Sequence, residues 1–168
     1  LPSVLFFCLV FVGISIPTSL FSQWEKELVG FGAGGSVAPD TTGNIHLFFL
    51  SEPYEGDLVY AFRQEDQWIK DNLVHSGIVT QCEAVVDRDN ILHVAYVEAD
   101  WNKDEFSLKY MSNGGDGWST PETVTSNDLG ISAFSLDVDG EGYLHMGYIK
   151  SFGIASDGPL FYYTNRSG

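Results

Sequence analysis

Apolar residues recur along the chain in short runs, separated by clusters of Gly, Asn and Asp, and no stretch sustains a helical period. That pattern predicts short strands joined by tight turns. Some runs carry apolar residues at odd and even positions alike, Ile45-His46-Leu47-Phe48-Phe49-Leu50 among them. A strand read that way needs a neighbour on each face, as in a sheet held between two other sheets. In one stretch the predicted strands are Cys82–Val86, Leu92–Glu98, Ser107–Met111 and Trp118–Val124.

The strands repeat in register. His46, His93 and His145 stand 47 and 52 residues apart, and each has an aromatic three places on: Phe49, Tyr96 and Tyr148. An aspartate and a turn precede each histidine, and Asp40, Asp87 and Asp137 are read as that aspartate. Leu58-Val59-Tyr60, Leu108-Lys109-Tyr110 and Leu160-Phe161-Tyr162 follow. Trp68 and Trp118 lie eight residues beyond Tyr60 and Tyr110, with Val74 and Val124 six further on. Four strands per unit of roughly 40–50 residues is the arithmetic of a β-propeller blade. A β-sandwich would explain the strands but not the register. Trp24-Glu25-Lys26-Glu27-Leu28-Val29 resembles the segment Trp118–Val124, so it reads as an outer strand without three inner ones. The expected fold is all-β: a partial propeller of a lone outer strand, two full blades and three strands of a third. The expected boundaries are 1–22 (leader), 23–35 (ring-closing outer strand), 36–80 and 81–131 (blades) and 132–168 (incomplete blade), with further blades expected beyond Gly168.

Composition narrows the function. The formal net charge is −15, from 23 acidic and 8 basic residues. Binding nucleic acid needs clustered Lys and Arg, so that class is excluded, and anionic lipid is disfavoured on the same ground. Val4 to Ile14 is an uncharged apolar run, followed by Pro17 and small polar residues up to Ser22-Gln23. This reads as a secretory signal peptide, which implies a secreted, periplasmic or cell-surface protein with no membrane association beyond that segment. Of the two cysteines, Cys8 falls in that run and Cys82 is expected as a small buried residue in a strand.

The stretch from Asp87 to Tyr96, Leu108-Lys109-Tyr110 and Asn113-Gly114-Gly115-Asp116-Gly117-Trp118 resembles secreted bacterial β-propeller repeats related to the Asp-box (BNR) proteins of the sialidase-like superfamily. The resemblance covers residues 24–168. It implies the propeller fold strongly and an activity weakly, since one fold hosts many functions. Sialidase-type catalysis in that superfamily resembles three arginines gripping a carboxylate, a tyrosine–glutamate nucleophile and an aspartate acid. Arg63, Arg88 and Arg166 are the arginines here, and their positions put all three on the face opposite the ligand side. No catalytic residue is assigned.

The chemistry is expected in the uneven loops between second and third strands, where Tyr54 and Trp101 would stack on sugar rings and Glu55, Asp104 and Glu105 would accept hydroxyl hydrogen bonds. Asp137, Asp139 and Glu141 alternate like part of a calcium loop, with a plain hairpin turn as the alternative reading. No other cofactor is expected. His46, His93 and His145 would be spread around a ring, so they read as structural rather than metal-binding, together with Tyr60, Tyr110, Tyr162, Trp24, Trp68 and Trp118. The expected function is a binding or scaffold module for glycans or proteins. The alternative is a sialidase-like glycoside hydrolase or lyase with catalytic residues in further blades. Oligomeric state is left open.

Overall fold

The computed structural model describes residues 25–52, 56–127, 130–151 and 158–166. The apolar run at 4–14, Trp24, Tyr54 and Glu55 lie outside the described residues. Among the described residues no helix is long and apolar enough to cross a membrane.

Ten antiparallel strands follow in order: β1 (Ala33–Pro39), β2 (Ile45–Leu50), β3 (Gly56–Gln64), β4 (Gln67–Val86), β5 (Leu92–Asp100), β6 (Glu105–Asn113), β7 (Glu122–Asn127), β8 (Ile131–Val138), β9 (Leu144–Lys150) and β10 (Leu160–Thr164). Each pairs with its sequence neighbour, in a run from β1 to β7 and a second run from β8 to β10. The 20-residue β4 serves two units. Its first part, from Gln67 to Val74, pairs with β3, while Gln81 to Val86 pair with β5. The chain therefore forms one blade from β1, β2, β3 and the start of β4, a second from the end of β4, β5, β6 and β7, and three strands of a third from β8, β9 and β10.

Two apolar clusters lie between successive blades. Phe48, Leu50, Leu58 and Tyr60 of the first blade pack with Cys82, Val94, Tyr96 and Met111 of the second. Ala95, Val97 and Leu108, on the opposite face of the second blade, pack with Leu136, Leu144, Met146 and Tyr148 of the third. This is why the central strand β5 is apolar at every position from Val94 to Val97: both of its faces are buried. Side chains also stitch neighbouring innermost strands together. Ser36 Oγ accepts from Ala84 N at 3.0 Å, and Gln81 Nε2 donates to Ile131 O at 3.2 Å.

Three expectations need correction. Residues 25–32 form no strand, and Ala33 to Gly35 belong to β1, the first blade's innermost strand. A strand needs a hydrogen-bonding neighbour. This segment lies instead across its own first blade, where Glu27 Oε2 accepts from Arg63 Nη1 at 2.9 Å. The fourth strand of the second blade begins at Glu122, not Trp118. Trp118 makes only an isolated bridge with Asn113, closing a hairpin turn in which Gly115 and Gly117 take positive φ. The aspartate that opens the third unit is Asp139, six residues before its histidine like Asp40 and Asp87, rather than Asp137.

Phe48 is 1% exposed at the centre of the first interblade cluster. Phe48→Ala should lower unfolding free energy by about 3–5 kcal/mol, the range for truncating a buried aromatic. The midpoint of urea denaturation, compared with the parent at constant slope, checks this.

Candidate functional site

The most regular polar feature is a turn built three times. In each, the aspartate Oδ1 accepts two backbone N–H groups, from the second and fourth residues beyond it. Asp40 takes Thr42 at 2.9 Å and Asn44 at 2.8 Å; Asp87 takes Asp89 at 2.9 Å and Ile91 at 2.8 Å; Asp139 takes Glu141 and Tyr143 at 2.9 Å each. The residue three places after each aspartate has positive φ: Gly43, Asn90 and Gly142. Gly and Asn are the residues that tolerate that conformation.

The second oxygen of each carboxylate points to the histidine. His Nε2 lies 3.7 Å from Asp40, 3.3 Å from Asp87 and 3.0 Å from Asp139. The other ring nitrogen, Nδ1, meets the hydroxyl of Tyr60, Tyr110 or Tyr162 at 2.8, 2.7 and 2.6 Å. At His93 and His145, with Nε2–H donated to the carboxylate, Nδ1 is an acceptor and the tyrosine O–H donates, whereas Asp40 Oδ2 accepts Asn44 Nδ2 at 2.8 Å and leaves His46 Nε2 beyond hydrogen-bond reach. Burial and the Asp40 charge push the Tyr60 phenol up to about 12, so it keeps its proton. These Asp–His–Tyr relays tie the turn to the second and third strands of each unit.

The relay also occupies Asp139. Its carboxyl is held down to about 2 by hydrogen bonds from His145, then Tyr143 N–H and Glu141 N–H. Glu141 faces Arg166 at 3.5 Å, and Asp137 Oδ1 accepts from Val138 N. Among the described residues no three metal-ligating side chains come together. The turn geometry by itself accounts for Asp139.

At the opposite end of the blades lie the loops joining second and third strands. The loop after β5 is a tight turn in which Asp100 Oδ1 accepts Asn102 N–H at 3.1 Å and Asp100 Oδ2 accepts Lys103 Nζ at 2.7 Å. Asp104 closes it at φ 51° and is exposed. Beside it is a cleft of about 300 Å³, lined by Ile78, Glu98, Asp100, Lys103, Glu105, Ser107 and Lys109. Lys109 Nζ is hydrogen-bonded to Glu98. The Lys103–Asp100 hydrogen bond and charge attraction hold the Lys103 ammonium's pKa above its ordinary range.

The strand period separates the candidate residues. Glu98, Asp100, Glu105, Ser107 and Lys109 lie at alternate positions of β5 and β6, on the cleft side. Trp101 packs edge-on to Phe106, with ring centroids 5.3 Å apart, and Phe106 belongs to the face turned toward the third blade. Trp101 is 50% exposed. Glu105 and Trp101 are therefore not one surface but two sides of one loop tip. Glu98, Asp100, Lys103, Ser107 and Lys109 were not singled out from the sequence. Their alternation was visible, but which face would be left open was not.

The arginines sit apart from this cleft. Arg63 pairs with Glu27, Arg88 donates to Gly140 O at 3.4 Å, and Arg166 faces Glu141. His75 Nδ1 lies 3.6 Å from Asp57 Oδ2, a pairing the sequence did not suggest. Cys82 is buried, and burial, reinforced by Glu83, pushes its thiol up to about 12. It is not a nucleophile at neutral pH.

No family model matches the sequence, and a search of curated proteins finds no match. Solved structures do. A fucose lectin from Kordia zhangzhouensis, solved in complex with methyl-fucoside, superposes with a TM-score of 0.50 and 15% identity, covering 78% of this chain and 91% of the lectin. The Hadza microbial sialidase Hz136 superposes with a TM-score of 0.55 and 16% identity, covering 79% of this chain and 30% of the sialidase. The chain thus spans less than a third of that sialidase. At these identities the likeness concerns the fold, and with the blade topology it defines a partial β-propeller.

Two outcomes test the relays. Tyr110→Phe removes one donor to a buried histidine and should cost about 1 kcal/mol by chemical denaturation. The carboxyls of Asp87 and Asp139 lie below their ordinary value of 3.8: at Asp87 burial pulls upward but is outweighed by Ile91 N–H and His93. A depressed folded pKa gives stability that is complete above the unfolded value and lost as pH falls through the folded one. The melting temperature should therefore fall between pH 4 and about 2, and Asp139→Asn should flatten that slope.

Proposed function

We propose that this chain is a glycan-binding propeller module whose ligand site is the loop end of the second blade. The observation that carries the reading is the polar cleft of about 300 Å³ between Ile78 and the β5–β6 hairpin. Its size is at the small end for ligand pockets and suits one sugar residue rather than an extended chain. Its lining supplies carboxylate acceptors at Glu98, Asp100 and Glu105, a hydroxyl at Ser107 and ammonium donors at Lys103 and Lys109. That mixture can meet neighbouring sugar hydroxyls as acceptor and donor at once. Trp101, half exposed, packs edge-on to Phe106 on the other side of the loop tip and takes no part in this cleft. The fold likeness to a lectin solved with methyl-fucoside supports the reading without assigning the same sugar.

The chain's own charges favour binding over sialidase-type hydrolysis. Each arginine already has an acceptor within the chain, Arg63 with Glu27, Arg88 with Gly140 O and Arg166 with Glu141.

A glycan array spanning neutral and acidic sugars should give hits on neutral glycans. Glu105→Gln should weaken the best hit about tenfold with melting temperature unchanged, as befits one charged hydrogen bond, and Trp101→Ala should leave the hit unchanged. Binding unaffected by Glu105→Gln would remove the site. Turnover of a fluorogenic glycoside would favour the hydrolase.

A further inference from the structure

The cleft beside the β5–β6 hairpin carries a charge pattern that the pairing of its two strands makes costly. Across the hairpin Glu98 faces Ser107, and Asp100 faces Glu105. Like charges directly opposite one another in an antiparallel pair destabilise it. Asp100 and Glu105 both line the cleft, together with Glu98. Packing does not call for them there: further along the same face the strands are apolar, at Val94, Tyr96 and Met111, and bury against the first blade. Local conflicts of this kind are expected where a site has to meet a ligand.

The two ammonium groups of the cleft do not cancel this charge. Lys109 Nζ is hydrogen-bonded to Glu98, and both side chains are mostly buried. Lys103 Nζ lies 2.7 Å from Asp100 Oδ2 on a side chain that is 70% exposed, and an ion pair that open contributes little. The half-buried Glu105 carboxylate has no ion pair or hydrogen bond among the described residues. Glu98, Asp100 and Glu105 against Lys103 and Lys109 leave the lining with a formal charge of −1, in a chain that carries −15.

We propose that the cleft selects an amino sugar, a sugar residue carrying a free amine whose ammonium sits between Asp100 and Glu105. The inference rests on the glycan-binding reading of this cleft and adds the class of sugar. An ammonium at that point relieves the two facing carboxylates and brings three donors to them, where a hydroxyl brings one. Ser107 and Lys109 are left for the ring hydroxyls. Neutral sugars still enter, more weakly. N-acetylation removes the charge, and a carboxylate on the sugar meets a lining already negative. The field of the whole acidic chain draws cations in the same sense. A protein's lysine offers the same ammonium but no ring hydroxyls for Ser107 and Lys109 to meet.

The test is calorimetric titration of the full chain with methyl hexosides of gluco, galacto and manno configuration. Each is taken as the free amine, the N-acetyl amine, the plain hydroxyl and the uronic acid, in mildly acidic buffer where the amine keeps its proton. For the configuration that binds, the free amine should bind about tenfold tighter than the hydroxyl or N-acetyl counterpart, the margin of a charged over a neutral hydrogen bond, and the uronic acid should not bind. Glu105→Gln keeps the shape and should bring the amine-to-hydroxyl ratio close to one without lowering the melting temperature. Lys103→Gln removes the ammonium beside Asp100 and should raise that ratio. Equal affinity for amine and hydroxyl counterparts would overturn the inference and leave the glycan site standing, whereas no binding by any member would remove both. Lysine amide binding as tightly as the amino sugar would assign the cleft to protein amines and overturn the inference as well.

Discussion

The structure depends on one constraint: a twisted four-stranded sheet with two apolar faces has to be covered on both. β5 shows it most clearly, since Val94 packs toward the first blade while Ala95 and Val97 pack toward the third. No blade of this kind is stable alone, so blades come in series. Burial is accordingly unbroken from Leu92 to Val97 of β5, the strand that lies between two blades.

The three Asp–His–Tyr relays solve a different problem. A propeller's turns are exposed, and a turn with positive φ has little holding it in place. Asp87 and Asp139 each use one oxygen to organise the turn and the other to hold a histidine, which in turn holds a tyrosine on the next strand. The repeated polar residues therefore register strands against turns, while the repeated apolar residues register blades against one another.

The proposed site falls in what the repeat leaves variable. The loop end of the second blade presents charged and hydroxyl side chains that the core does not use, on a scaffold whose strands are buried on both sides. Binding residues on loops carried by a rigid frame are the usual division of labour. Here the frame divides them again, because alternation along β5 and β6 sends Glu105 and Trp101 to opposite sides of one tip.

Much of this was legible in the residues. The markers at His46, His93 and His145, with their tyrosines, determined strand number and order and the repeat, because each blade must present the same contacts to its neighbours. Each of those histidines meets its unit's tyrosine hydroxyl through Nδ1. Where two readings were locally equal, the sequence could not choose. Asp137 and Asp139 are both aspartates before a histidine, and only the turn's hydrogen bonds selected Asp139. Trp118 looked like the start of a strand, yet the glycines before it fold a hairpin that sends its indole into the preceding blade. Which alternate face of β5 and β6 stays open was decided by the packing of one blade on the next. Local pattern determines which side chains share a face; only the neighbouring blade determines whether that face is core or surface.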